Sequence, residues 1–145
     1  MSREYPEHPL VGVGAVITQD DRVLMIRRGQ PPLRGEWSLP GGLLECGETL
    51  SEAASREARE ETGMVVDVME MLGVYERVTH SDDGRVRYHY VLIDFLCRPV
   101  AGELKAGSDA AEVGWFISDE LPALKLAQDT TEVILKGLAR SKSRD

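Results

Sequence analysis

Two adjacent glycines, Gly41 and Gly42, stand just ahead of a segment, "LLECGETLSEAASREAREETGM", that sets Glu45, Glu48, Glu52, Glu57, Glu60 and Glu61 against Arg56 and Arg59 alone. The segment reads as one helix. Thr49 and Glu52 make a T-x-x-E capping box, the run to about Thr62 contains no glycine or proline, and Gly63 supplies the usual stop. Stepping ~100° per residue from Glu57 puts Glu61 about 40° away and Glu60 about 300°, so the three carboxylates share a face. Arg56 falls beside Glu60. Ala54 and Ala58 lie on the adjoining side, small enough to let the helix approach a sheet, while Glu52, Ser55 and Arg59 point to solvent.

Like charges at this spacing repel. A charged helix face is ordinarily solvated surface, but such a face needs neither a glycine turn beside it nor a packed alanine edge. Crowded carboxylates are tolerated if two are neutral, if arginines pair with them, or if a metal binds, and hard divalent cations such as magnesium prefer oxygen ligands. Gly41 and Gly42 are expected to adopt a backbone conformation closed to residues with a Cβ, turning a carbonyl toward the same ion and letting phosphates come near. Glu48, just before the helix, either binds metal or holds Arg56.

Around this helix β-prone runs alternate with turns. "LVGVGAVI" and "RVLMIRR", separated by "TQDD", predict two strands joined by a tight turn. "GQPPLRGEW" reads as a loop and "SLPGG" as a very short strand ending in a turn. Residues 65–75 and "RVRYHYVLIDFLCRPV" flank "SDDG" and predict a hairpin. "AEVGWF" predicts another short strand and "SDELPAL" a capped helical turn. "DTTEVILKGLAR" predicts a C-terminal helix with Val133, Ile134 and Leu138 on its apolar side, ahead of a frayed polar tail over 141–145. The expected class is α/β, a mixed β-sheet with helices on its faces.

The 145 residues suit one domain spanning 1–145. A net charge of -8 argues against nucleic acid or an anionic membrane as partner. It admits a small phosphate substrate, because a divalent cation inverts the local sign. Cys46 and Cys97 form no metal-ligand spacing and no disulfide framework, and "MSREYPEHPL" has no basic region followed by an apolar run. A cytoplasmic protein is the expectation, with a homodimer left open.

Residues 42–64 resemble the Nudix box. Gly42, Glu48, Arg56, Glu57, Glu60, Glu61 and Gly63 meet its fixed positions, and Ala58 and Met64 its apolar ones. The early strand pair, "PLRGEWSLPGG" and "AEVGWF" look like the same family. The resemblance implies the Nudix fold, an α/β/α sandwich around a mixed β-sheet, and hydrolysis of a nucleoside diphosphate linked to another group. It implies that Glu57 and Glu61, with Glu60, bind Mg2+ or Mn2+, that Arg56 orients a carboxylate, and that Gly41 and Gly42 contribute a backbone ligand and receive substrate. Metal-activated water then attacks phosphorus in line, without a covalent enzyme intermediate.

Beyond the box, Glu112 and Asp109 are the acids available as general base, with Glu60 or Glu61 as the choices inside it. Arg27 and Arg28 end an early strand on opposite faces, so at most one meets phosphate, and Arg28 is the choice. Trp37, Tyr75 and Phe116 are candidates for stacking on a base, although aromatics more often pack cores. His80 and His89 carry no assigned role. The proline that follows the box in many ADP-ribose-cleaving members is absent, Thr79 and His80 standing there. So is the tyrosine of many dinucleoside-polyphosphate members, where Ser81 and Asp82 stand. The expected activity is hydrolysis of ADP-ribose to AMP and ribose 5-phosphate. The alternatives are a nucleoside triphosphate pyrophosphohydrolase of the 8-oxo-dGTP-cleaning type and a regulatory module that binds nucleotide without turnover.

Overall fold

The computed structural model describes residues 3–30 and 33–144. Pro31 and Pro32 of the expected loop, and Asp145 of the tail, lie outside the described residues. Strand β1 (Leu10–Gln19) is apolar almost without alternation and buried over most of its length, as expected of a strand covered on both faces. It runs parallel to β6 (Val86–Gly102), from Leu10 opposite Tyr90 to Ile17 opposite Cys97. Its other edge is shared. β4 (Gly41–Leu43) pairs antiparallel with residues 12–14, and β2 (Arg22–Arg28) with Thr18 and Gln19. Asp20 and Asp21, between β1 and β2, have φ of 51° and 63°, the paired left-handed residues of a tight hairpin turn. β3 (Trp37–Ser38) and β7 (Ala110–Ile117) pair with β2, and β5 (Met64–His80) closes the far edge against β6, completing a mixed 7-stranded sheet.

Helix α1 (Leu50–Thr62) covers one face. Both halves of its capping box form: Glu52 N–H donates to Thr49 Oγ1 at 3.2 Å, and Thr49 N–H donates to the Glu52 carboxylate at 2.9 Å. Gly63 stops it at φ 78°. Ala54 and Ala58 are fully buried and belong to a core with Ala15, Ile17, Ile93 and Phe95. On the opposite face α2 (Gln128–Arg144) lays Val133, Ile134 and Leu138 against Val16, Met25, Leu72 and Leu96. Ser118–Leu124, expected as one helical turn, forms a 3-10 helix leading into α2. The result is the α/β/α sandwich.

The tail expected to fray is instead helical through Arg144. Thr18 Oγ1 donates to Ser141 Oγ at 3.0 Å, Lys142 pairs with Asp21 and Arg144 with Glu70, so the sheet supplies the partners that the tail's own composition does not reveal. Among the described residues no helix is long and apolar enough to cross a membrane.

α2 presses on the sheet at Gly137, where a Cβ would lie 2.6 Å from Val16 Cγ1 and 3.2 Å from Leu72 Cδ1. Helix propensity alone favours alanine over glycine by about 1 kcal/mol, whereas overpacking against a buried, stiff valine costs about 1–3 kcal/mol. Gly137→Ala should therefore lower the unfolding free energy in urea by up to about 2 kcal/mol. A stabilised variant would mean that α2 shifts freely on the sheet.

Candidate active site

The acidic face of α1 meets β4. Gly42 pairs with Val13 and Gly41 with Gly14. A Cβ on Gly42 would run into the Glu57 carboxylate, and one on Gly41 into the Val13 carbonyl oxygen. Neither glycine is among those with positive φ. The expected reason for glycine here, a backbone conformation closed to other residues, is thus corrected to close approach of backbone to carboxylate and to the neighbouring strand.

Arg56 is the clamp behind this contact. Its Nε and Nη2 donate to the two Glu48 oxygens at 2.7 and 2.9 Å, Nη2 also reaches the Leu43 carbonyl at 3.1 Å, and Nη1 reaches Glu57 Oε1 at 2.7 Å. Of the two roles open to Glu48, the structure shows it holding Arg56, and that hydrogen bond is the main reason its carboxyl lies below the usual range.

Glu57 and Glu61 come together beyond the clamp. Glu61 neighbours Glu57 and the backbone of Gly41, and its carboxyl is pushed up to about 8, first by burial and then by the Glu57 charge. Its Oε2 is buried without a partner. Two neighbouring carboxyls, with one oxygen orphaned in the interior, either retain a proton or take a cation. The donors are all oxygen and the charge is negative, which fits a hard divalent ion such as Mg2+ or Mn2+.

Glu60 stands apart. Its side chain is 59% exposed against 13% for Glu57, and it reaches Arg56 at 3.3 Å from the solvent side. Among the described residues no three His, Cys, Asp or Glu side chains gather as a metal site. Of the three carboxylates expected to share a face, Glu57 and Glu61 lie together in the interior while Glu60 reaches Arg56 from outside.

A cleft of about 580 Å³ adjoins the pair, with Gly12, Gly14, Gly41 and Gly42 lining its inner part and Trp37 and Tyr75 among its walls. Arg28 lines it too, and its charge favours the ionised form of Glu61. Arg27 pairs with Glu112 at 2.7 Å across the β2–β7 ladder, and neither lines the cleft. Asp109 is engaged through its backbone, its carbonyl accepting from Gly29 N–H at 3.0 Å. Phe116 packs edge-on behind Trp37, ring centroids 4.9 Å apart, so of the three aromatic candidates only Trp37 and Tyr75 face the cleft. Among the charged residues there that the sequence alone does not single out are Arg77 and Asp94. The signal for Asp94 was present: a single acid inside the apolar run "YVLIDFLC".

Set beside known proteins, the chain matches the NUDIX domain model over residues 8–136. It is 44% identical over 127 residues, 88% of this chain and 72% of the other, to the ADP-ribose pyrophosphatase of Methanocaldococcus jannaschii. To a MutT-like protein of Streptomyces ambofaciens it is 37% identical over 116 residues, 80% of this chain and 68% of that one. A solved NUDIX hydrolase from Nitrosomonas europaea superposes with a TM-score of 0.76 at 28% identity, covering 91% of this chain and 90% of its own.

Glu61 has an ordinary value of 4.5 and a folded value of about 8, so between these the folded state binds the extra proton. Its contribution to stability is present below the lower value and is lost as pH rises through the upper one. In chelator, the melting temperature should fall from about pH 5 to about pH 8, less steeply in Glu61→Gln. Restored magnesium should raise it more at the alkaline end, where the cation meets no competing proton. Parallel slopes in the two proteins would remove Glu61 as the source.

Proposed function

Because the chain belongs to the Nudix family, it is a Nudix-type diphosphate hydrolase acting on a nucleotide or nucleoside-diphosphate derivative, and we propose that its substrate is ADP-ribose, cleaved to AMP and ribose 5-phosphate. The observation that carries this choice is the 44% identity, over 88% of the chain, to an ADP-ribose pyrophosphatase. The layout of the site supports it. The cleft has the size of a small-ligand pocket, and it runs from the Gly41–Gly42 strand, beside the carboxylate pair, to the aromatic walls.

In this reading Glu57 and Glu61 hold Mg2+ or Mn2+, with Glu60 and the backbone of Gly41 as further oxygen donors. When bound, the ion supplies charge to offset that of the phosphoryl oxygens and makes the attacking water more acidic. Arg56 fixes the Glu57 carboxylate against Gly42. Gly41 and Gly42, without side chains, let the diphosphate lie against β4, and Arg28 opposes its charge from the cleft wall. Trp37 and Tyr75 enclose the nucleoside. For the proton acceptor we retain Glu112, which has to leave Arg27 to act.

The deciding experiment compares specificity constants for ADP-ribose, other nucleoside diphosphate sugars, dinucleoside polyphosphates, and ordinary and oxidised nucleoside triphosphates. ADP-ribose should lead, with no turnover in chelator. A lead for an oxidised guanine triphosphate with pyrophosphate release would replace the proposal by the cleaning reading, and tight binding without turnover would replace it by a regulatory one. Glu57→Gln should cost several orders of magnitude in kcat while leaving the melting temperature in chelator near that of the parent.

Glu112→Gln separates the remaining role. Loss of kcat and of the acidic limb of the pH profile, at unchanged magnesium affinity, is expected if Glu112 takes the proton. An unchanged rate and profile would return that role to Glu60 or Glu61.

A further inference from the structure

Asp94 occupies an unusual place on the cleft floor. Its cross-strand neighbours are both glycine, Gly14 on β1 and Gly73 on β5. A Cβ on Gly14 would strike Asp94 Oδ1, so the carboxyl leans into space that only glycine leaves open. Tyr75 fills the gap over Gly73, its Oη lying 2.7 Å from where a Cβ would be. Arg77 also lines the cleft, with Nη2 committed to Asp129 and to Thr130 Oγ1 and with Nε buried and unpartnered. No hydrogen bond among the described residues reaches the Asp94 carboxyl. Burial, then the charge of Asp129, pushes it up to about 6, with Arg77 opposing.

An acid retained for packing has a partner, as Glu70 has Arg140 at 2.9 Å through both oxygens. Asp94 instead offers a bare acceptor on the floor of a cleft walled by Trp37 and Tyr75. A bare acceptor in such a cleft is complementary to the exocyclic amine of a nucleobase. Leaving this acceptor unpaired carries a cost that a matching ligand donor removes.

We propose that Asp94 determines base specificity by accepting a hydrogen bond from the exocyclic amine of adenine. This rests on the ADP-ribose reading and names the feature of that substrate the cleft selects. Hypoxanthine, in which an oxo group replaces the amine, turns an acceptor toward Asp94 and is rejected.

The test measures AMP and IMP binding to the full chain with magnesium by calorimetry, and kcat/KM for ADP-ribose against inosine diphosphate ribose. The parent protein should favour adenine by about 10-fold or more. Asp94→Asn, which keeps the shape and can donate as well as accept, should bring the ratio close to unity. A folding defect would lower both members of each pair alike and leave the ratio standing. Equal AMP and IMP affinities in the parent, an unchanged ratio in Asp94→Asn, or tighter binding of GMP than of AMP would each overturn the assignment. Should ADP-ribose not be turned over at all, the substrate reading falls, while the AMP-to-IMP ratio still decides for or against Asp94.

Discussion

The guanidinium of Arg56 ties three separate pieces of chain into one object. It grips Glu48 in the loop before α1 with two hydrogen bonds, the Leu43 carbonyl at the end of β4, and Glu57 one residue along its own helix. A planar fork with fixed donor directions suits this task better than a point charge. The position of Glu57 relative to Gly42 is consequently set by a rigid group rather than by a flexible carboxylate finding its own rotamer. Everything that the acidic pair does follows from that placement, including the burial that leaves Glu61 Oε2 without a partner.

The two faces of the sheet divide the work. α1 brings its carboxylates to the end of the sheet where β4 adds to β1, while the α2 side holds the cleft. Gly12 and Gly14 line that cleft from β1 and stand opposite Leu92 and Asp94 in the parallel register. Because side chains alternate along a strand, Val11 and Ala15 pack toward α1 while the intervening glycines leave the other face hollow. A single strand thus seals one core and opens one pocket.

What could be read from the sequence was what is local. The cap of α1 involves Thr49, Glu52 and Gly63, neighbours along the chain, and its alanine side is a matter of helical period. That Gly41 and Gly42 matter was legible, but the reason was not, since the atoms that exclude a side chain there belong to Val13 and Glu57. Helical spacing placed Glu60 with its fellow acids, yet spacing does not say which carboxylate an intervening arginine will attract. The tail looked polar and frayed because its partners, Thr18, Asp21 and Glu70, are far away in sequence. The same distance hid the Arg27–Glu112 pair and the two glycines flanking Asp94, each of which exists only in a strand register.

The parallel pairing of β1 with β6 has a consequence for how the molecule comes together. The β5–β6 hairpin and α1 can be organised by neighbours in sequence, but β1 reaches β6 only by closing a loop that includes all the chain between Gln19 and Val86. Loops of that span are the slow part of folding, because their entropy is lost before their contacts form. Gly12, Gly14, Leu92 and Asp94, which line the cleft, lie on this seam. A nascent chain therefore acquires its helices and hairpins before it has anywhere to put a ligand, and the ability to bind arrives together with the last long-range closure.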